Sequence, residues 1–395
     1  MPKKILIIVQ NLPVPFDRRV WQEARELVKH GYSVSIICPK GKFYEKSFEV
    51  IETIGIYRHP LPIEAEGAWG YLIEYSWSLL WEFALSVKVL WKHGFDAIHA
   101  CNPPDTIFLI AGFFKLFGKK FLFDHHDINP ELYEAKFGKK GFFYRVICWL
   151  EKRTFAVCDV SIATNNSYRQ IAIQRGGMQP DRVFVVRSGA SLERMKIMPP
   201  LPHLKHGKRF LVGYVGVMGK QEGLEYLLEA IAHITQTLHR KDIHFTLIGG
   251  GTHLPFLQKI TSEKQLDDNV TFTGRIGDEA MLEILNTADI CVNPDKVNAM
   301  NDKSTMNKIM EYMSLGKAIV QFDMTEGRFS AGEASLYAKP NDCVDLAEKI
   351  LALLDNEAMR LQMGAMGRKR VETQLAWEYE APKLLAAYQK LFEKC

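Results

Sequence analysis

Two doubly wound α/β domains facing each other across a cleft are predicted for this chain, and three observations predict them. Short apolar runs of strand length alternate with segments whose apolar residues recur at helical spacing, the pattern of parallel sheets covered on both faces. The alternation breaks once, at residues 198–207, where Pro199, Pro200 and Pro202 stand among polar neighbours as in a linker, and then it restarts. The chain has 395 residues, too many for one ordinary domain and comfortable for two of roughly 150–200 each.

In the first series, strands are expected at 5–9, 33–38, 96–101, 120–123, 160–163 and 183–186. The clearest helix runs over 18–30, where Val20, Trp21, Ala24, Leu27 and Val28 share one face. The second series gives strands at 210–215, 245–248, 270–273, 290–293 and 318–322. Helices are expected between them at 224–237, 253–264, 278–287 and 305–315, with a closing helical pair at 344–354 and 357–393. The first domain is thus placed at 1–200, joined by the C-terminal helix at about 376–395, and the second at 201–375. In such sheets ligands sit at the carboxyl ends of the strands, so the chemistry is expected in the loops that follow them.

Hydrophobic residues make up 47% and charged residues 24%, ordinary for a globular protein with real cores. A net charge of +4 is too small to announce a nucleic-acid partner. Seven cysteines are scattered singly, with no CxxC pair and no His/Cys cluster at ligand spacing, which suits reduced thiols in the cytoplasm. The N-terminus begins like an export signal, but its apolar core, 5–9, is only a strand long. No run of 18 apolar residues is present, so no bilayer span is expected.

The segment 301–316 carries the first chemical signal. Ser304 or Thr305 reads as an N-cap and Gly316 as a stop. Met306, Ile309, Met310 and Met313 share an apolar face, while Ser304, Asn307, Lys308 and Glu311 share the other. The free amides at Thr305, Met306 and Asn307, with Lys308, offer a phosphate site. Glu311 is placed to accept both hydrogens of a vicinal diol such as a ribose. A surface helix with a Lys–Glu pair three apart is the plainer reading of the same residues.

This segment resembles the donor-site element of the family 4 retaining glycosyltransferases of the GT-B fold, in which two glutamates eight apart precede a glycine and a strand. Glu311 matches the second glutamate, and Gly316 with the apolar run to Val320 follows. The resemblance implies that Glu311 binds the nucleotide ribose. Lys303 stands where the first glutamate, near the donor sugar, is expected.

Further segments resemble this family in order. Asp124-His125-His126-Asp127, at a strand end, resembles its Asp-x-His-Asp/Glu element, which implies that His126, with Asp127 beside it, sits at the reaction centre. Val185 to Ser191 resembles its Val-Val-x-Asn-Gly-x-Asp turn and would bring Arg187 to the diphosphate; a simple turn at Gly189 is the alternative. The loop from Gly216 to Gly223 resembles a phosphate loop in which Lys220 replaces a missing arginine and Glu222 stands at the usual lysine. Gly249-Gly250-Gly251 resembles a Gly-Asp-Gly turn near the nucleotide, and Arg275-Ile276 the base-binding strand end. Asp17, Arg18 and Arg19 occupy a loop where the family has glycines, on the acceptor and phosphate side; Arg18 and Arg19 fit either a phosphate contact or a solvated helix start.

No Asp-x-Asp triplet occurs, so the carboxylate pair of metal-dependent transferases is missing and neither metal nor cofactor is expected. Arg187, Lys303, Lys308 and a helix N-terminus are left to neutralise the departing diphosphate. No Gly-x-Gly-x-x-Gly follows the first strand, against a dinucleotide oxidoreductase. Trp69, Tyr71, Tyr75, Trp77, Trp81, Phe83 and Trp91 crowd one region, and between Lys115 and Arg153 nine Lys/Arg face five Asp/Glu. Aromatics with cations suit peripheral contact with an anionic membrane on its cytoplasmic side; packing inside the domain is the alternative. The partners expected are a nucleotide-sugar donor, a polyprenyl-diphosphate-linked or saccharide acceptor, and that membrane surface. The reading is a hexosyl- or deoxyhexosyltransferase of envelope polysaccharide or O-antigen synthesis. An epimerase or hydrolase of the same fold, or a non-catalytic nucleotide-sugar-binding scaffold, are its rivals.

Overall fold

The computed structural model describes residues 2–61 and 67–393, with side chains described outside 67–73. It divides into two compact units, Met1–Ser188 with Glu380–Cys395, and Gly189–Tyr379. The division falls before the proline-rich segment 198–207, because Ala190 bonds to Leu375 and Met195 packs in the second unit's core.

The first unit runs β1 (Lys4–Ile8), α1 (Arg18–Lys29), β2 (Ser33–Pro39), β3 (Phe48–Ile51), β4 (Ile54–His59), α2 (Gly67–Lys92), β5 (Ala97–Cys101), α3 (Phe108–Lys115), β6 (Lys120–His125), α4 (Asn129–Phe137), α5 (Phe142–Val157), β7 (Val160–Ala163), α6 (Asn166–Gln174) and β8 (Val183–Val185). Its eight strands lie in the order β3-β4-β2-β1-β5-β6-β7-β8. All pairs are parallel except β3 with β4. The strands are apolar on both faces because helices cover both, as the buried run Ile5 to Ile8 shows. The β3–β4 hairpin has no counterpart among the strands expected from the sequence. Its turn uses Glu52 and Thr53 at positive φ, with neither the glycine nor the asparagine that usually marks such a turn.

The aromatic-rich region is the 26-residue helix α2. Phe83 packs against the core while Trp77, Trp81 and Trp91 are exposed, so packing and surface share these residues. The side chains of Trp69 and Tyr71 lie outside the described residues. Among the described residues no helix is long and apolar enough to cross a membrane, and six cysteines are unpaired.

The second unit runs β9 (Phe210–Val215), α7 (Leu224–Ala232), β10 (Ile243–Ile248), α8 (Leu254–Glu263), β11 (Val270–Gly274), α9 (Asp278–Thr287), β12 (Ile290–Asn293), α10 (Asn307–Ser314), β13 (Ile319–Phe322), α11 (Thr325–Ala331), β14 (Ser335–Ala338), α12 (Cys343–Leu354) and α13 (Glu357–Arg370). Its parallel sheet has the order β11-β10-β9-β12-β13-β14. Phe210, Val212 and Tyr214 of β9 join the core on one face, with α7 and α12, and Leu211 joins the core on the other. Burying each such side chain contributes roughly 1.5–3 kcal/mol. Gly213 falls on the Leu211 face, where a Cβ would stand 3.2 Å from both Ala288 Cβ and Leu285 Cδ2.

The last helix, α14 (Trp377–Phe392), replaces the single long helix expected over 357–393. From Glu380 on it belongs to the first unit, where the buried Tyr388 hydroxyl lies 2.8 Å from His99 Nδ1. Strand order reverses beside β1 and β5 in the first unit and beside β9 and β12 in the second. The loops leaving those strands are where doubly wound sheets take their ligands.

Candidate active site

In the first unit a buried ionic cluster gathers at the carboxyl end of β6. Asp124 points inward and takes both forks of Arg19, Nε at 3.0 Å and Nη2 at 2.9 Å. Arg19 also donates to the Val186 carbonyl at 2.8 Å and meets Glu23 Oε1 at 3.1 Å. His126 Nε2 closes on the same Asp124 Oδ2 that Arg19 Nε approaches. The 2.9 Å separation of Arg19 Nε from His126 Nε2 is then that of two donors converging on one oxygen.

Burial alone would push Asp124 up, but Arg19 and His126 outweigh it and hold the carboxyl well below its ordinary value. Burial would likewise pull His126 down, yet Asp124's charge and hydrogen bond raise the imidazole above its usual value. Burial pushes Glu23 up to about 8, against the pull of Arg19. The cluster therefore carries one firm carboxylate, one guanidinium and a histidine biased toward its charged form.

The main chain of the His126 loop is fixed separately. Asn102, after β5, accepts from the amides of His126 at 2.7 Å and Asp127 at 3.1 Å. Its Nδ2 donates to Asp105 Oδ1 at 2.9 Å and to the Asp127 carbonyl at 2.7 Å. His126 is partly exposed while Asp124 and His125 are buried, so only part of this cluster meets solvent.

Three expectations about this unit change. Arg19, expected at a phosphate or in a solvated helix start, is buried, because it and Glu23 share the inward face of α1 with Val20, Ala24 and Leu27. Asp17 is the N-cap of α1, accepting from the Val20 amide at 3.1 Å, while Arg18 is exposed. Arg187 is buried, with its amide donating to Glu380 Oε2 at 2.9 Å, where α14 packs beside the turn.

In the second unit α10 starts at Asn307, two residues later than its sequence suggests. The Ser304 hydroxyl donates back to the Met300 carbonyl at 2.8 Å instead of capping. Met306 takes the N-cap position and its side chain makes no capping bond, while Thr305 and Lys303 lie just before it, partly exposed. Glu311, one turn in, accepts from Arg194 Nη1 at 2.8 Å, and Arg194 also grips Asp278 with Nε at 2.7 Å and Nη2 at 3.1 Å. Arg194 was missed, since nothing local in the sequence ties it to a residue 117 positions away.

Lys308 was expected to face a phosphate; it is buried and lies 2.8 Å from Asp295 and 2.9 Å from Glu222. Its ammonium sits over the Tyr214 ring at 4.9 Å. Burial would lower Lys308, but Asp295 and its neighbours lift it well above the ordinary value, so it stays charged. The physical reason is position: it lies beneath the loops that leave β9 and β12, and a buried ammonium must be paired. Glu222, standing where a lysine is usual, is thereby explained as its partner.

The glycines serve a loop-to-loop contact. A Cβ on Gly249 would stand 1.9 Å from the Gly216 carbonyl oxygen, and one on Gly251 would stand 2.4 Å from that of Met218. Met218 N bonds to Gly250 O at 3.1 Å, so the loops after β9 and β10 run in backbone contact. Gly250 lies over the Arg275 stem, Arg275 and Lys220 are exposed, and Ile276 is partly buried against the core.

His99, Cys101 and Asp124 are the one convergent trio of metal-ligating types among the described residues. Within this trio Asp124 is paired with Arg19, and burial pushes the Cys101 thiol well up.

Residues 17–194 match the family described as Glycosyltransferase Family 4 and residues 209–356 match Glycosyl transferases group 1. The chain belongs to the family 4 glycosyltransferases. Among curated relatives, the alpha-D-kanosaminyltransferase of Streptomyces kanamyceticus is 26% identical over 157 residues, 39% of each chain. The capsular polysaccharide biosynthesis glycosyltransferase CapM of Staphylococcus aureus is 24% identical over 264 residues, 60% of this chain and 64% of the relative. These matches thus span less than two thirds of either relative's length. Among solved structures, Anabaena HepE, in complex with UDP and glucose, superposes with a TM-score of 0.75 at 15% identity, covering 98% of this chain and 99% of that one. At that identity the likeness establishes the GT-B fold of this family 4 chain, with its two parallel-sheet domains.

Proposed function

We propose that this glycosyltransferase moves a sugar, with retention of configuration and without a metal ion, from a nucleotide-diphosphate donor to a lipid-linked or saccharide acceptor of cell-envelope polysaccharide. The observation that carries the reading is Glu311, a partly exposed carboxylate one turn into α10, at the chain position of the family's ribose-binding glutamate. The donor diphosphate is assigned to the N-terminus of that helix, where the N-cap residue Met306 makes no side-chain capping bond. Lys303, Lys220 and Arg275 are partly or fully exposed cations on the neighbouring loops. HepE, solved with UDP and glucose, and CapM, a capsular polysaccharide enzyme by name, support the donor and pathway classes.

In the first unit His126 is assigned to the transferred sugar. Asp124, itself fixed by Arg19, orients the imidazole and favours its charged form, which suits a site where negative charge builds on a departing diphosphate. Asp127 follows in the loop held by Asn102. The reaction is placed at the cytoplasmic face of the membrane, where a lipid-linked acceptor presents its sugar.

A thermal-shift screen of nucleotide diphosphates and nucleotide sugars tests the donor half, since a ligand at 100 times its Kd stabilises by roughly 2.7 kcal/mol. A shift with one nucleotide class and its sugars supports the reading. No shift with any of them overturns it.

A further inference from the structure

The first unit contains a cavity of about 290 Å³ that none of the residues assigned above explains. It lies between α4 and α5, with Tyr75 of α2 and the Pro103–Pro104 segment completing the wall. From α4 it is lined by Asn129, Leu132, Tyr133 and Lys136, and from α5 by Phe143, Val146, Ile147 and Leu150. Both sets have i, i+3, i+4, i+7 spacing, the stripe along which neighbouring helices ordinarily interdigitate. Here the stripes flank a space, and apolar walls that do not meet forgo contact energy that an apolar occupant restores.

The rim has a different character. Lys136, which lines the cavity, is exposed, and so are Lys139 and Lys140 just beyond the end of α4. Of the acids on the same two helices, Glu131 and Glu151 are buried and turned onto Arg175. Only Glu134 remains near the surface, 3.2 Å from Lys140. Phe142 is 75% exposed and Trp149 51% exposed on the same pair of helices. An apolar interior under a cationic, aromatic rim is complementary to a hydrocarbon chain that ends in phosphate.

The position fits as well. Asp105 lines the cavity and accepts from Asn129 at 2.7 Å and from Asn102 at 2.9 Å. Asn102 holds the amides of His126 and Asp127 from its other end. One hydrogen-bonded chain therefore joins the cavity wall to the loop assigned to the transferred sugar.

We propose that the cavity between α4 and α5 binds the hydrocarbon chain of a phosphate-bearing lipid acceptor, with its phosphate among the exposed lysines of that rim. This rests on the reading of the chain as a transferase acting on a lipid-linked acceptor and assigns the acceptor's lipid a site within the first unit.

The probe is farnesyl phosphate, compared with farnesol and with inorganic phosphate by calorimetry. Leu132→Trp and Ile147→Trp fill the cavity without touching His126, Asp127 or the second unit, and Lys139→Glu with Lys140→Glu reverses the rim. The wild-type protein should bind farnesyl phosphate, farnesol at least 5-fold more weakly, and inorganic phosphate not measurably. Each filled variant should lose at least 10-fold, and the rim variant at least 3-fold with a reduced salt dependence. Nucleotide-diphosphate affinity should not change in any of them. Equal affinity of filled and wild-type proteins, or of farnesol and farnesyl phosphate, overturns the assignment.

Should a filled variant not fold, a photoreactive farnesyl phosphate analogue decides on the wild-type protein. Cross-links confined to the cavity wall, residues 129–150 with Tyr75 and 103–106, support the site, and cross-links elsewhere refute it. The donor screen runs independently: prenyl-phosphate binding without any nucleotide response would leave the cavity assigned and remove the transferase reading.

Discussion

Arg194 Nη1 stands 2.8 Å from Glu311 Oε1, and the rest of the same guanidinium is forked onto Asp278. Glu311 is thus steered by a residue on the chain entering the second unit, which narrows its rotamers before any ligand arrives. Glu311→Ala should weaken nucleotide-sugar binding by about 1.5–3 kcal/mol, the range for a hydrogen bond to a charged group. Arg194→Met should cost less, because the carboxylate remains but loses its orientation. Titration calorimetry on both variants checks this, and native donor affinity in Glu311→Ala with a native melting curve would sink the ribose assignment.

Lys303 sits in the turn Asn301–Lys303 just before α10, where the family has a glutamate. If its ammonium supports charge that grows as the donor bond breaks, Lys303→Glu should lower turnover more than donor affinity, since the interaction strengthens in the transition state. Lys303→Gln should do less harm. Higher turnover in Lys303→Glu would favour the non-catalytic scaffold, and wild-type kinetics in both variants would place the side chain in solvent.

Gly249 has φ of +129° and lies where a Cβ would stand 1.9 Å from the Gly216 carbonyl oxygen. Gly249→Ala must therefore separate the loops after β9 and β10 and strain its own backbone. A loss of about 2–4 kcal/mol in denaturant unfolding is expected, with donor affinity falling alongside. Gly118→Ala also sits at positive φ, but nothing lies within 4 Å of its Cβ, so it should cost only the backbone strain, about 1–2 kcal/mol.

Glu82 is buried inside α2, and burial pushes it from 4.5 up to about 8. The folded state keeps a proton that the unfolded chain releases, so this group lowers stability as pH rises from about 4.5 to about 8, after which its effect levels off. Glu82→Gln removes that slope. Its melting temperature should match wild type near pH 4.5 and exceed it by a growing margin up to pH 8; a margin independent of pH would refute the protonation of Glu82.

Most of the fold was legible because buried parallel strands and amphipathic helices write strong local patterns. The strand 210–215 and the helix 278–287 fall where their patterns place them. The β3–β4 hairpin was not legible, because its turn lacks the glycine signal. At the site, Glu311, Lys303 and the His126 loop were visible in motifs confined to a few residues. What sequence could not supply was direction. Arg19 and Lys308 look alike as basic residues near phosphate loops, yet one pairs with Asp124 and the other with Asp295, and both partners lie beyond any local pattern.

The central claim is sugar transfer from a nucleotide-diphosphate donor, and its most direct measurement is transfer itself, with and without chelator. The donor chosen by the thermal-shift screen is incubated with a prenyl-diphosphate-linked saccharide, and the product's mass and anomeric configuration are read by mass spectrometry and NMR. The account predicts one added sugar with the donor's configuration retained, undiminished by chelator and lost by at least 100-fold in His126→Ala. A product of inverted configuration, a full requirement for a divalent cation, or donor binding with no transfer to any lipid-linked or free saccharide would contradict it.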